Sequence, residues 1–241
     1  MTIVTDHLGF ALVFVEAIDA WLTMLPITKV QYEYYLCDRK ADRRLNNQWY
    51  TDRLQQNPRT SANQLAANNY FNAFMTSVTT DEAKGYIKWM FERMCLESDT
   101  VVECRLPTDD EWKHTYRELR ELPAQELTSF PSSLNPRAFE IVQRLNVLMR
   151  QPQVAVANVH LRVEAAQPRT YSVADQMLLH RGVYEWVSHG MNGHGGRGAP
   201  PSIIGGGHMD PTAGTPLVVN ETDRHPYFGF RVLVKGQIAS S

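Results

Sequence analysis

Arg105-Leu-Pro-Thr-Asp-Asp-Glu-Trp112 joins an extended segment to a capped helix start. Pro107 disfavours helical backbone in the residue before it, so Arg105-Leu106 reads as extended chain. Thr108 follows as a helix cap, and Glu111 three residues on completes a capping box. Behind the box, Trp112, Tyr116 and Leu119 share one helical face. Glu111, besides its cap role, is placed to hold a buried partner such as Arg231. The same grammar recurs upstream. Thr79 and Glu82 form a box before Ala83, Tyr86, Ile87, Met90, Phe91 and Met94, which keep helical spacing. Thr28 and Gln31 form another, with Ile27 and Tyr32 placed as a hydrophobic staple and Val30, Tyr34 and Tyr35 on the helix that follows.

Between these signals the chain is less regular. Leu12 to Val15 reads as a short buried strand. Residues 38–73 are rich in Asn, Gln, Arg and Asp and read mostly as loop. Asn135-Pro136 is a helix start, and Ala138, Ile141, Val142, Leu145, Leu148 and Met149 complete an amphipathic helix. Val154, Val156, Val159, Leu161 and Val163 suggest a strand with a bulge near Asn158. Beyond Trp186 the composition changes. Nine of 14 glycines fall between Gly190 and Gly214, and four of eight histidines between His189 and His225. Phe228, Phe230, Val232 and Val234 then alternate as a closing strand.

Bulk properties exclude several classes. A chain of 241 residues with 43% hydrophobic and 21% charged residues buries a core without staples. A net charge of −2 gives no footprint for nucleic acid or an anionic membrane. No basic n-region precedes a cleavage site in the first residues, and the apolar run Phe10–Val15 is too short for a span. Cys37, Cys95 and Cys104 have no paired spacing, which suggests reduced thiols, a cytoplasmic location and burial as small hydrophobes.

Six pieces in order resemble the formylglycine-generating-enzyme (sulfatase-modifying-factor) family. Pro26-Ile-Thr-Lys-Val-Gln-Tyr-Glu-Tyr-Tyr-Leu36 resembles the family's "EVTNAQY" segment. Val78-Thr-Thr-Asp-Glu-Ala-Lys-Gly-Tyr-Ile-Lys-Trp89 is similar to "VSWxDAxAYCxW". Arg105 to Trp112 is close to "RLPTEAEW", the most specific of the matches. Gly182-Val-Tyr-Glu-Trp-Val187 resembles "GNVWEW", Gly205 to Gly207 stand where the family has "RGGSW", and Gly229-Phe-Arg231 matches the terminal "GFR". The resemblance spans residues 8–235. It implies one α+β domain over 1–241 with a C-type lectin-like fold, in which helices flank short twisted antiparallel sheets and the C-terminal third is rich in loops.

The departures direct the functional reading. The family's enzymes hold copper with two C-terminal cysteines, and this chain has no cysteine after Cys104. Gly182 replaces the Asn associated with a calcium site. The histidine-sulfurising branch has an added helical domain and a His-x3-His-x-Glu pattern, both missing here. A third branch, the variable proteins of diversity-generating retroelements, uses the fold as a noncatalytic scaffold with its hypervariable stretch between "EW" and "GFR". Here that interval is residues 187–228, rich in types suited to adaptable loops. The resemblance implies a ligand-binding protein with no cofactor, whose partner is a protein or small molecule. The expected contact residues are Tyr184, His189, Met191, Asn192, His194, Arg197, His208, Asp210, Asn220, Asp223, Arg224 and Tyr227.

His189, His194, His208 and Asp210 are types that suit zinc or iron, but their spacing matches no tight motif and solvated loop histidines explain them better. They leave open an alternative, a diverged metal-dependent oxidoreductase using histidine ligands. A structural subunit with a fixed apolar patch is the third alternative. Gly193-His-Gly-Gly-Arg-Gly198 lacks the Lys-Ser/Thr of a phosphate loop. Glu103, Asp109 and Asp110 supply neighbouring carboxylates, and the helix N-terminus explains the two aspartates.

Overall fold

The computed structural model describes residues 2–41, 75–76, 78–96, 100–122, 178, 183–188, 201–205, 216–223, 225 and 228–238. In chain order the elements are β1 (Ile3–Thr5), β2 (Ala11–Val15), a 3₁₀ turn (Glu16–Ile18), β3 (Ala20–Thr23), α1 (Lys29–Ala41), α2 (Thr80–Cys95), β4 (Val101–Arg105), α3 (Asp109–Arg120), β5 (Tyr184–Val187), β6 (Ser202–Gly205), β7 (Leu217–Val218), β8 (Phe228–Phe230) and β9 (Leu233–Gly236). The protein is α+β, with two sheets. One has the order β1-β2-β3-β9-β4 and is antiparallel throughout; the other has the order β7-β6-β5-β8. Within the second sheet β5 and β8 run parallel, against the expectation of wholly antiparallel sheets.

The three capping boxes form as the sequence dictates. Glu111 Oε2 accepts from the Thr108 N–H at 2.8 Å while Thr108 Oγ1 accepts from the Glu111 N–H at 3.1 Å. The same reciprocal pair joins Thr79 to Glu82 and Thr28 to Gln31. Each box satisfies helix N–H groups that have no intrahelical partner. Ile27 and Tyr32, the staple residues, are both buried. Helix α1 runs on to Ala41, into the stretch read as loop. The expected helix around 135–149, the strand around 154–163 and the rest of the 38–73 stretch lie outside the described residues.

The inner strands β2 and β3 of the five-stranded sheet are covered on both faces, which explains why they read as apolar runs rather than alternations. Leu12, Trp21 and Val234 belong to a core shared with Tyr32 and Tyr35 of α1 and Tyr86 and Met90 of α2. Their neighbours Val13, Leu22 and Leu233 belong to a second core with Trp112 and Leu119 of α3. The sheet therefore lies between α1 and α2 on one side and α3 on the other. The first core is closed by an aromatic group in which Tyr86 packs near Tyr32, Tyr35, Trp89 and Phe230. Tryptophan N–H groups in these cores find acceptors: Trp186 gives its proton to the Val78 carbonyl at 2.9 Å, Trp89 to Asp38 at 2.6 Å and Trp21 to the Gly236 carbonyl at 3.1 Å.

The expected single closing strand is two strands. Phe228–Phe230 pairs with β5 in the second sheet, Leu233–Gly236 pairs with β3 and β4 in the first, and Arg231-Val232 makes the passage between them. Every residue from Phe228 to Val234 is buried, so the apparent period of two marked burial on both sides and not one solvated face.

Candidate functional site

The interval 187–228 leaves the fold at the end of β5 and returns at the start of β8, and these two strands are neighbours: Tyr184 faces Phe228, and Trp186 faces Phe230. It is tied to capped helix starts at its exit and again near its return. Ser188 gives its N–H to the Pro107 carbonyl at 2.9 Å, and its own carbonyl accepts from the Asp109 N–H at 3.2 Å. The Glu221 carbonyl accepts from both the N–H and the hydroxyl of Thr80, at 3.4 and 3.3 Å. Within the interval, β6 lies antiparallel on β5 with Ser202–Gly205 buried, and the short β7 covers β6 with Leu217 and Val218 exposed.

Beneath this frame lies a charged centre. Arg231 is fully buried, and its Nε–H is directed at both oxygens of the Glu185 carboxylate at 2.9 and 2.8 Å. Its Nη1 donates to the carbonyls of Thr23 at 2.9 Å and Met24 at 2.6 Å. Trp112 Nε1 donates to Glu185 at 3.1 Å. Burial pushes the Glu185 carboxyl above its ordinary range, and the attraction of Arg231 and the Trp112 N–H opposes it. Burial likewise pulls the guanidinium down, opposed by Glu185. The pair joins β5 to the β8–β9 passage, the two places where the interval leaves and re-enters the core.

Arg231 is thus not the partner of Glu111, as the sequence suggested. Glu111 pairs in two-pronged fashion with Arg105, with both contacts at 2.6 Å. Burial alone would raise the Glu111 carboxyl, but the Arg105 and Thr108 hydrogen bonds outweigh it and hold it below the usual range. Arg105, at the end of β4, reaches Glu111 directly, whereas Arg231 pairs with the more deeply buried Glu185.

Of the expected contact residues, Tyr184 lies half-buried in β5 with its ring edge-on to Phe228 at 6.4 Å. Asn220 and Asp223 lie together in a turn after β7, where the Asn220 N–H donates to Asp223 Oδ2 at 3.1 Å and the Asp223 N–H returns to the Asn220 carbonyl at 3.1 Å. His189, Met191, Asn192, His194, Arg197, His208, Asp210, Arg224 and Tyr227 lie outside the described residues, and with them the His/Asp metal group. Among the described residues no group of three or more His, Cys, Asp or Glu is arranged to hold a metal ion. None of their helices is long and apolar enough to cross a membrane. Cys95 and Cys104 are free thiols and half-buried rather than buried. Burial, then the neighbouring Cys95 and Glu103, pushes the Cys104 thiol up to about 12, which removes it from nucleophilic chemistry near neutrality.

Glu185 is the residue that sequence reasoning missed. Its signal is a single charge inside Val183-Tyr-Glu-Trp-Val187, matched by the single charge inside Phe228-Gly-Phe-Arg-Val-Leu-Val234. Two isolated opposite charges in apolar runs are each expensive to bury alone.

No protein-family model, curated protein or solved structure matches the chain.

Proposed function

We propose that this chain is a noncatalytic ligand-binding protein built on a formylglycine-generating-enzyme type of C-type lectin fold, presenting residues 187–228 as a variable surface in the manner of diversity-generating retroelement proteins. The observation that carries the reading is the closure of that interval between the adjacent strands β5 and β8, clamped by Glu185 and Arg231. A segment anchored at both ends on a rigid frame tolerates substitution on its outward face, because the core does not depend on what that face carries. The order of the sequence motifs supports the same reading. So does the chemistry of the interval, whose glycine, histidine, serine and asparagine content suits adaptable contact.

Deep sequencing of the gene's last third across a population of the source organism tests it. The expected result is codon change clustered between residues 187 and 228, chiefly at template adenines, with the flanking motifs fixed. A uniform interval sinks the proposal, and metal analysis of protein carrying His189, His194, His208 and Asp210 becomes the deciding measurement for the oxidoreductase alternative.

A further inference from the structure

Helix α2 and strand β4 line a groove of about 480 Å³, to which, among the described residues of the interval 187–228, Ser188 alone contributes. Ile87 and Phe91, one helical turn apart, form its apolar wall with Leu106, and Val102 and Cys104 face them from β4. The volume lies in the range of small-molecule sites, about 300–1,000 Å³. Val102 is 68% exposed, a large apolar surface left open beside a concavity.

The charges around this wall do not balance. Among the described residues Glu103 is the one acid lining the groove, and it lies 3.3 Å from Arg105, whose guanidinium is also held by Glu111. These three carry one net negative charge, with the guanidinium shared between the two carboxylates, and two further cations line the groove. Lys84 and Lys88, exposed and one helical turn apart, remain over the apolar wall. Lys84 reaches Asp81 only at 3.6 Å, with both side chains largely exposed, a pair that holds its ammonium weakly.

We propose that this groove binds a small amphipathic anion, a medium-length aliphatic carboxylate whose tail lies along Ile87, Phe91 and Val102 and whose head meets the Lys84 and Lys88 ammoniums. The Cys104 thiol contributes apolar surface to the groove and forms no bond with the ligand. This proposal does not rest on the reading of residues 187–228, and the two fail separately.

The test is calorimetric titration of the full chain with sub-micellar decanoate and, in parallel, with decylamine, which has the same tail and the opposite charge. The expected result is one saturable decanoate site and no matching decylamine site. Lys84→Glu with Lys88→Glu then weakens decanoate about tenfold or more, and Val102→Glu abolishes binding. All three positions are exposed, and circular dichroism verifies that each variant keeps the wild-type melt. No saturable decanoate binding to the wild type overturns the proposal. Equal binding of decylamine, or undiminished affinity in the double lysine variant, overturns the assignment of the anionic head.

Discussion

Replacing Glu185 by Gln keeps the side chain's volume and an acceptor for Trp112 Nε1, yet leaves the Arg231 charge buried without its counter-ion. Removing one member of a buried ion pair costs about 3–5 kcal/mol. Arg231→Met removes the other member and also strips donors from the Thr23 and Met24 carbonyls, so its cost falls in the same range or above. Were the two changes independent they would sum to about 6–10 kcal/mol, most of the stability of a typical domain. They are not independent, because both break the same interaction. The double variant, with no charge left to bury, keeps only the cost of the unpaired carbonyls, about 1–3 kcal/mol each. The expected coupling is therefore about 3 kcal/mol or more in favour of the double variant. Urea unfolding followed by circular dichroism, on the wild type, both single variants and the double, measures it. Single variants within about 1 kcal/mol of wild type, or costs that simply add, would refute the clamp.

Three further outcomes follow from the described geometry. Gly236 has φ +122° and a Cβ there would meet the Thr100 carbonyl oxygen and lie 2.8 Å from Val101 Cα, both backbone; Gly236→Ala is expected to cost more than about 2 kcal/mol in urea unfolding, and a neutral result would mean the β4–β9 pairing is laxer than described. Glu111 has a depressed carboxyl pKa in the fold, so its stabilisation is present above the unfolded value and is lost as pH falls through the folded one. Glu111→Gln should therefore lower stability at pH 7 and flatten its decline below about pH 4.5, whereas parallel pH profiles for variant and wild type would contradict the assignment. With its thiol pushed up to about 12, Cys104 is about one part in ten thousand thiolate at pH 8; mass spectrometry should find it unlabelled by iodoacetamide until the protein is denatured, and rapid native labelling would refute this.

What the sequence disclosed and what it hid divide along physical lines. Helix starts were legible because a capping box is a local device: Thr28, Thr79 and Thr108 each meet their partner three residues on, whatever the rest of the chain does. The β3 strand was not, because Ala20-Trp-Leu-Thr23 is buried on both faces and shows no alternation. The switch of sheets at Arg231-Val232 was hidden for the same reason. The Arg231 partner was misassigned because nothing in the sequence ranks Glu111 against Glu185 by depth: Glu185 is 1% exposed and, among the described residues, Arg231 is its cation, whereas Glu111 already has Arg105. The sequence marked the interval 187–228 by its composition but could not separate its inward from its outward residues.

That separation sharpens the population test. Within the interval, Ser202 to Gly205 are buried against β5, and Gly205 adopts φ +96° with the Trp112 ring 3.7 Å from where a Cβ would sit. Leu217 and Val218 on the next strand are 49% and 61% exposed, and Asn220 to Thr222 are exposed as well. The Glu221 carbonyl, by contrast, holds the start of α2 through its backbone, which any side chain at that position preserves. A variable surface built on this frame must therefore change at 217, 218 and 220–222 and stay fixed at 202–205. Variation spread evenly over both groups would indicate relaxed constraint on the whole segment, since a buried strand that tolerates any residue cannot be the support on which a binding surface is displayed.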